Sequence, residues 1–498
     1  MRRPTTIGEL KRSDSQIQTV KQEMRANLTK MLENGQSLFP DIIGYDRTVI
    51  PGIINAVLSK HDFILLGLRG QAKTRILRGL VRLLDEFVPV LSETDLNDNP
   101  FDPVSPAGLR AVAEMGDQTP VSWLHRDDRY REKLATPDVT IADLIGDIDP
   151  IKAATKKLSY SDEEVIHYGI LPRTNRGIFA INELPDLPPR IQVGLLNILE
   201  EEDIQIRGFP MRIPLDVLMV FTANPEDYTN RGNIITPLKD RVDSQISTHY
   251  PHTLEDAMRI TAQEAWIERN GTGEFVIPDY FRELIELVAF AARKSEYVDQ
   301  KSGVSARMPI TLAENVLSNM ERRAIIHHEN KVYPRIGDLH VALTAITGKI
   351  ELVYEGEQEG ATKVARKIIG EAVKDLFRRH LPNPDSKKAL KQAGGEDVGS
   401  TPYQNILTWF SDGNTVETAD DLDYSEYHSR LGAVRGLRQL ARKHLGVKEN
   451  EEMGLGMELI LEGLHQHSML SKREVGNRSA YRDMLKAMFD RMTRNKKN

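Results

Sequence analysis

Three short runs, Phe63 to Leu66, Ile178 to Ile181 and Val217 to Phe221, are almost continuously apolar, and each gives way to a turn or to polar residues. Runs of this length, bounded in this way, predict strands buried on both faces. Around them, from Ile42 to about Tyr250, short β-type runs alternate with stretches of helical spacing, which predicts an α/β fold with a parallel sheet flanked by helices. The first forty residues are polar and charged, with Val20, Met24, Leu28 and Leu32 at helical spacing, and predict an amphipathic entry helix. From Thr253 onward the pattern turns helical. Thr253 to Asp256 has capping-box character, and Leu284, Leu287, Val288 and Ala291 form one apolar stripe.

The expected organisation is therefore an N-terminal helical segment (1–40), an α/β domain (41–252), an all-helical domain (253–381), a linker (382–402) and a helical C-terminal region (403–498). The linker is marked by composition, with Pro382-Asn383-Pro384, Gly394-Gly395 and Pro402. A polar stretch from Asn97 to Asn175 separates the first two apolar runs, and a connection that long is expected to be functional or to hold small elements of its own.

Composition narrows the class without naming it. A chain of 498 residues with 40% hydrophobic and 28% charged residues exceeds one hydrophobic core and carries no apolar run long enough to cross a bilayer. No membrane insertion is expected. The absence of cysteine excludes disulfides, thiolate metal sites and a cysteine nucleophile, and fits a reducing cytoplasm. A net charge of −7 provides no global basic field, so nucleic acid is not an expected partner.

Candidate chemistry concentrates at the ends of the three apolar runs, where open α/β sheets bind ligands. After the first comes Gly67-Leu68-Arg69-Gly70-Gln71-Ala72-Lys73-Thr74, which reads as a phosphate-binding loop. Its backbone N–H groups would cradle a polyphosphate, Lys73 would reach the β- and γ-phosphates, and the Thr74 hydroxyl would face Mg²⁺. Ala72 stands where the G-x-x-x-x-G-K-[ST] pattern has its second glycine. The second run ends in Asn182-Glu183, the form of a Walker B strand. Glu183 is the candidate for positioning the attacking water, and Asn182 supplies an oxygen donor toward the metal without the usual negative charge. The third run ends in Thr222-Ala223-Asn224-Pro225, which makes Asn224 a candidate γ-phosphate sensor, and Arg241 follows in a charged segment as a candidate arginine finger.

In this order the motifs resemble the AAA+ ATPases, and within them the magnesium chelatase and MoxR branch. The phosphate loop is similar to that branch's G-x-R-G-x-G-K-[ST]. Asn99 to Pro103 is similar to its P-[FY]-x-x-x-P-type segment, and Ala142 to Asp149 followed by Gly169 to Gly177 resembles the segments that lead into Walker B. Pro188 to Glu201 resembles the P-x-x-x-Q-x-x-L-L-x-x-x-E-E helix. The likeness spans approximately Ile42 to Leu352 and stops short of the C-terminal third.

The resemblance implies an ATP- and Mg²⁺-dependent ring, hexameric in the family, that remodels a protein client such as a von Willebrand-domain protein or a chelatase-like subunit. It implies that Asp46 flanks the adenine, that Arg307 in Ser305-Ala306-Arg307 is the sensor 2 arginine, and that Ile204 to Ile213 forms an extra hairpin turning near Gly208. Two other functions stay open. A nucleotide-binding assembly module with little turnover would suit Ala72 together with Asn182. A polymerase-remodelling transcription activator would lack its G-A-F-T-G-A loop here. His327-His328-Glu329 and His465-Gln466-His467 do not have zinc-ligand spacing, no G-x-S-x-G elbow marks a serine nucleophile, and the basic tail reads as a solvated end.

Overall fold

A computed structural model describes residues 3–13, 16–149, 151, 154–155, 165–206, 212–225, 233–269, 273–384, 402–419, 421–475 and 478–484. The chain divides into two compact units, Met1–Tyr250 and Pro251–Asn498.

The core of the first unit is a five-stranded parallel sheet. Its strands in chain order are β1 (Phe63–Leu66), β2 (Tyr130–Leu134), β3 (Gly177–Asn182), β4 (Val217–Ala223) and β5 (Ser244–Ser247). Their spatial order is β5-β1-β4-β3-β2. The three inner strands are the three apolar runs, and β3 and β4 are buried along their whole length. Alternate residues feed opposite faces, as the two-residue period of a strand requires. Phe63, Leu65, Ile178, Ala180, Leu218 and Val220 join one apolar cluster, and Ile64, Phe179, Ile181, Met219 and Phe221 join the other. The two edge strands differ. Tyr130–Leu134 and Ser244–Ser247 are half exposed and rich in polar residues. The polar stretch after Asn97 therefore holds a strand of the core sheet as well as peripheral hairpins.

One face is covered by α2 (Val20–Glu33), α3 (Val49–Leu58) and α4 (Lys73–Gly79), which follow a short first helix α1 (Ile7–Arg12). The other face is covered by Leu144, Ile145, Leu171 and Leu184, and by two short helices, α5 (Leu196–Glu201) and α6 (Thr236–Arg241). The entry helix forms as its spacing predicts: Val20, Met24 and Leu28 are buried, Leu32 is exposed, and Thr19 and Gln22 close a capping box at its start.

Helix α2 is fixed to the sheet by buried charge. Glu23 receives two hydrogen bonds from the Arg129 guanidinium, at 2.7 and 2.6 Å, with Arg129 wholly buried. Lys21 reaches Asp62 at 3.0 Å, and Asp62 in turn accepts the Met219 N–H at 2.8 Å. Removing one member of a buried pair strands the other in a low-dielectric interior. Arg129→Met is therefore expected to cost about 3–5 kcal/mol of stability, read as a shift of the denaturant midpoint. Adding Glu23→Leu should recover most of that loss.

In the second unit Thr253 caps Leu254–Glu264 by accepting the Asp256 N–H at 3.1 Å. Helices α7 (Asp279–Ala292), α8 (Arg307–His327) and α9 (Ala361–His380) share one apolar cluster. The helical reading of residues 403–498 is incomplete. Among the described residues there are four helices, ending with α10 (Asn450–Gln466), and they pack with a three-stranded antiparallel sheet of Val416–Ala419, Leu470–Val475 and Arg478–Asp483. The strands contribute to a buried ionic cluster against α10: Lys472 lies 2.9 Å from both Glu462 and Glu474, and the Tyr481 hydroxyl donates to Glu462 at 2.7 Å. A parallel two-stranded pairing of Glu274–Phe275 with Lys331–Val332 is a second small addition. Most of the expected linker, residues 385–401, and the basic tail lie outside the described residues.

Among the described residues no helix is long and apolar enough to cross a membrane. No group of three or more His, Asp or Glu side chains there is arranged to hold a metal ion. His327 faces the Asp421 carbonyl, and His465 that of Leu470.

Candidate nucleotide site

All five strands run parallel, so their carboxyl ends share one edge of the sheet. Gly67 follows β1, Glu183 follows β3, Asn224 follows β4 and Thr248 follows β5. The inner order β1-β4-β3 thus brings together the phosphate loop, Asn224 and the Asn182-Glu183 pair.

The loop is held in shape mostly by the segment after β5. Gly67 donates its N–H to the Ala223 carbonyl at 3.1 Å. A side chain there would not fit, since its Cβ would lie 1.9 Å from Thr248 Oγ1 and 2.2 Å from Gln71 Oε1. Those two groups are themselves bonded, the Thr248 hydroxyl donating to Gln71 Oε1 at 2.6 Å. Tyr250 donates its hydroxyl to the Arg69 carbonyl at 3.0 Å. The Tyr45 hydroxyl lies 2.7 Å from the His249 carbonyl and 3.1 Å from that of Gln71. Burial pushes the Tyr45 phenol up to about 12, so it stays a donor at any ordinary pH.

Two loop residues take the left-handed conformation, Gly70 at φ 75° and Ala72 at φ 56°. Glycine does this freely. For Ala72 it costs about 1–2 kcal/mol, so the loop keeps this shape against a modest penalty. Ala72 then starts α4, whose first residue is Lys73. The Lys73 ammonium is buried and donates to the Leu68 carbonyl at 3.1 Å and to that of Gly67 at closer range. Thr74 is half-buried one residue further on, and Arg69 is exposed.

At the end of β3, Asn182 is buried and Glu183 is half-buried, with Glu183 at φ 56° and ψ 51°. A left-handed glutamate at a strand end signals a position fixed by its surroundings. Asn224 is buried at the end of β4. Arg241 is the last residue of α6, and its guanidinium is engaged within its own chain, Nε reaching Glu200 on α5 at 2.7 Å. Arg307 belongs to the second unit, exposed at the first position of α8, where its N–H donates to Ser305 Oγ at 3.1 Å. Asp46 is exposed in a turn beside Tyr45. Asp203–Gln205 pairs antiparallel with Arg212–Pro214, and the turn expected near Gly208 lies outside the described residues.

Sequence reasoning passed over Tyr45, Thr222, Thr248 and Tyr250. Only Thr222 carried a local signal, a hydroxyl closing an otherwise apolar run. The others act through partners far along the chain.

The groups present fit a nucleotide polyphosphate. A buried ammonium rests on two loop carbonyls at a helix N-terminus, where a phosphate would offer it a charged partner. Thr74 and Asn182, the residues expected to face a divalent cation, each carry a neutral oxygen, and Asn182 Oδ1 accepts the Thr222 hydroxyl at 3.3 Å.

The profile of the Sigma-54 interaction domain matches residues 154–243, the segment that contains β3, Asn182, Glu183, β4, Asn224 and Arg241. The two strands of the core sheet in the matched segment, β3 and β4, lie in the spatial order β5-β1-β4-β3-β2, with the candidate phosphate loop after β1. No curated protein matches the chain as a sequence. Among solved structures, the chain is similar to a candidate ATPase of Cytophaga hutchinsonii at 17% identity, with 73% of this chain and 98% of the other covered and a TM-score of 0.28. It is similar to NtrX from Brucella abortus in complex with ADP at 13% identity, covering 78% and 72%, with a TM-score of 0.36. A chain from the complex of magnesium chelatase subunits BchI and BchD shares 18% identity, covering 78% and 99%, with a TM-score of 0.30.

Proposed function

We propose that the protein is a Mg²⁺-dependent ATPase that assembles as a ring and couples ATP binding and hydrolysis to remodelling a protein partner, in the manner of the chelatase and MoxR branch. The observation that carries this reading is the gathering of Lys73, Asn182, Glu183 and Asn224 at the carboxyl ends of three adjacent strands. ATP brings the γ-phosphoryl group and Mg²⁺ neutralises its charge. The chain supplies the rest. Gly67 to Ala72 would present backbone N–H groups to the phosphates, Lys73 would bind the β- and γ-oxygens, and Thr74 with Asn182 would hold the cation's shell. Glu183 orients the attacking water and takes its proton, while Asn224 holds the γ-phosphate. Arg241 and Arg307 complete sites at subunit boundaries, Arg241 exchanging Glu200 for a neighbour's phosphate as subunits dock. The client is a protein of the von Willebrand-domain or chelatase-subunit kind, met in the cytoplasm.

Assembly tests the ring directly. Sedimentation with a slowly hydrolysed ATP analogue should show a discrete oligomer of about six chains, lost in Lys73→Ala; a monomer at saturating nucleotide would contradict the ring. Asn182 gives a second expectation. An added carboxylate charge near a divalent cation is worth on the order of 1 kcal/mol even at the dielectric constant of water, so Asn182→Asp should lower the Mg²⁺ concentration for half-maximal hydrolysis at least roughly fivefold. A Mg²⁺ titration of phosphate release checks it.

The Sigma-54 match favours one other reading, a polymerase-remodelling activator. It predicts tight, salt-sensitive binding of the full chain to promoter DNA, and the missing G-A-F-T-G-A loop speaks against it.

A further inference from the structure

The backbone ladder between β3 and β4 has Ile181 opposite Phe221 as its last paired residues at the carboxyl edge. Past that point a side chain takes over. Thr222 is 1% exposed, and its hydroxyl is the polar group in the run Val217-Leu218-Met219-Val220-Phe221-Thr222-Ala223. Its Oγ1 accepts the Glu183 N–H at 3.0 Å and donates to Asn182 Oδ1 at 3.3 Å. One hydroxyl therefore holds both polar residues that end β3.

The same strand is tied on its other side to the phosphate loop. Thr222 pairs with Leu65 and Ala223 with Leu66 in the register with β1, and the Ala223 carbonyl accepts the Gly67 N–H at 3.1 Å. Thr222 stands between the loop that would hold the phosphates and the carboxylate that would act on the water. Its hydrogen bond goes to the backbone N–H of Glu183, whose left-handed conformation is unusual for a side chain of that size. That bond fixes the turn from which the carboxylate projects. Its other bond orients the Asn182 amide. Because the hydroxyl proton needs an acceptor, Oδ1 faces Thr222, leaving one lone pair on that oxygen for a cation's water.

We propose that Thr222 is a positioning residue for ATP hydrolysis, setting the Glu183 turn and the orientation of the Asn182 amide through one hydroxyl. The inference rests on the ATPase reading above. It separates turnover from binding, because neither of the two bonds involves the phosphate loop.

Thr222→Val keeps the shape and removes both bonds; Thr222→Ser keeps the hydroxyl. Steady-state hydrolysis of Mg-ATP and equilibrium ATP binding are measured on the wild type and both variants. The expected result is a fall in kcat of at least tenfold in Thr222→Val with ATP affinity within threefold of wild type, and recovery of kcat to within threefold of wild type in Thr222→Ser. The Mg²⁺ dependence of hydrolysis should shift in Thr222→Val alone. An unchanged kcat in Thr222→Val, a Thr222→Ser variant as impaired as Thr222→Val, or equal losses of binding and turnover would overturn the positioning role. If Thr222→Val fails to fold, Thr222→Ala takes its place under the same criteria. Wild-type protein that binds ATP without hydrolysing it would instead overturn the ATPase reading, and with it any role for Thr222 in turnover.

Discussion

Replacing Lys73 by Ala is expected to lower ATP affinity about a hundredfold, since truncating one partner of a buried, hydrogen-bonded charge pair costs about 2–5 kcal/mol of binding. The side chain is already in place before any phosphate arrives. Its ammonium is buried at the start of α4 and rests on the carbonyls of Gly67 and Leu68. A polyphosphate would give that ammonium a charged partner in a water-poor setting, where charge-assisted bonds are roughly twice as strong as neutral ones. Lys73→Ala removes the only full positive charge buried within the loop and leaves backbone N–H groups alone to hold the phosphates. Titration with a fluorescent ATP analogue measures the change. Lys73→Arg should not rescue it, because a planar fork cannot occupy the space of a compact ammonium between two loop carbonyls. Affinity within threefold of wild type in Lys73→Ala would contradict this placement of the phosphates.

Glu183→Gln should separate binding from chemistry. General-base assistance contributes about 10² to 10⁴ in rate, and glutamine cannot accept the water's proton at neutral pH. The substitution preserves size. The hydrogen bond that fixes the turn runs from the Glu183 backbone N–H to the Thr222 hydroxyl, so the left-handed conformation does not depend on the carboxylate. Turnover should fall by about 10² to 10⁴ while ATP affinity stays near that of wild type, which would make the variant a trap for the client.

The three inner strands were legible because burial on both faces leaves a continuous apolar run, and their ends drew attention to Lys73, Glu183 and Asn224. The edge strands were not. Tyr130–Leu134 and Ser244–Ser247 are half solvated, so their side chains follow no apolar pattern that would distinguish them from loop. The strands around Lys472 and Tyr481 were hidden because they are rich in charge, with Arg473 and Arg478 exposed and Lys472 buried against Glu462. The same limit applies within the site. Nothing near Gly67 indicates that Thr248 leaves no room for a Cβ, because that fact depends on the register between β1 and β5. Ala72 shows how a motif's departure can mislead. The residue breaks the pattern while its backbone takes the left-handed conformation that glycine adopts freely.

Steady-state phosphate release at saturating Mg-ATP, measured on the wild type beside Glu183→Gln, tests the assignment most directly. The arrangement at the sheet edge predicts sustained release by the wild type and a loss of about 10² to 10⁴ in the variant. No release by the wild type, or equal rates from both proteins, would contradict it.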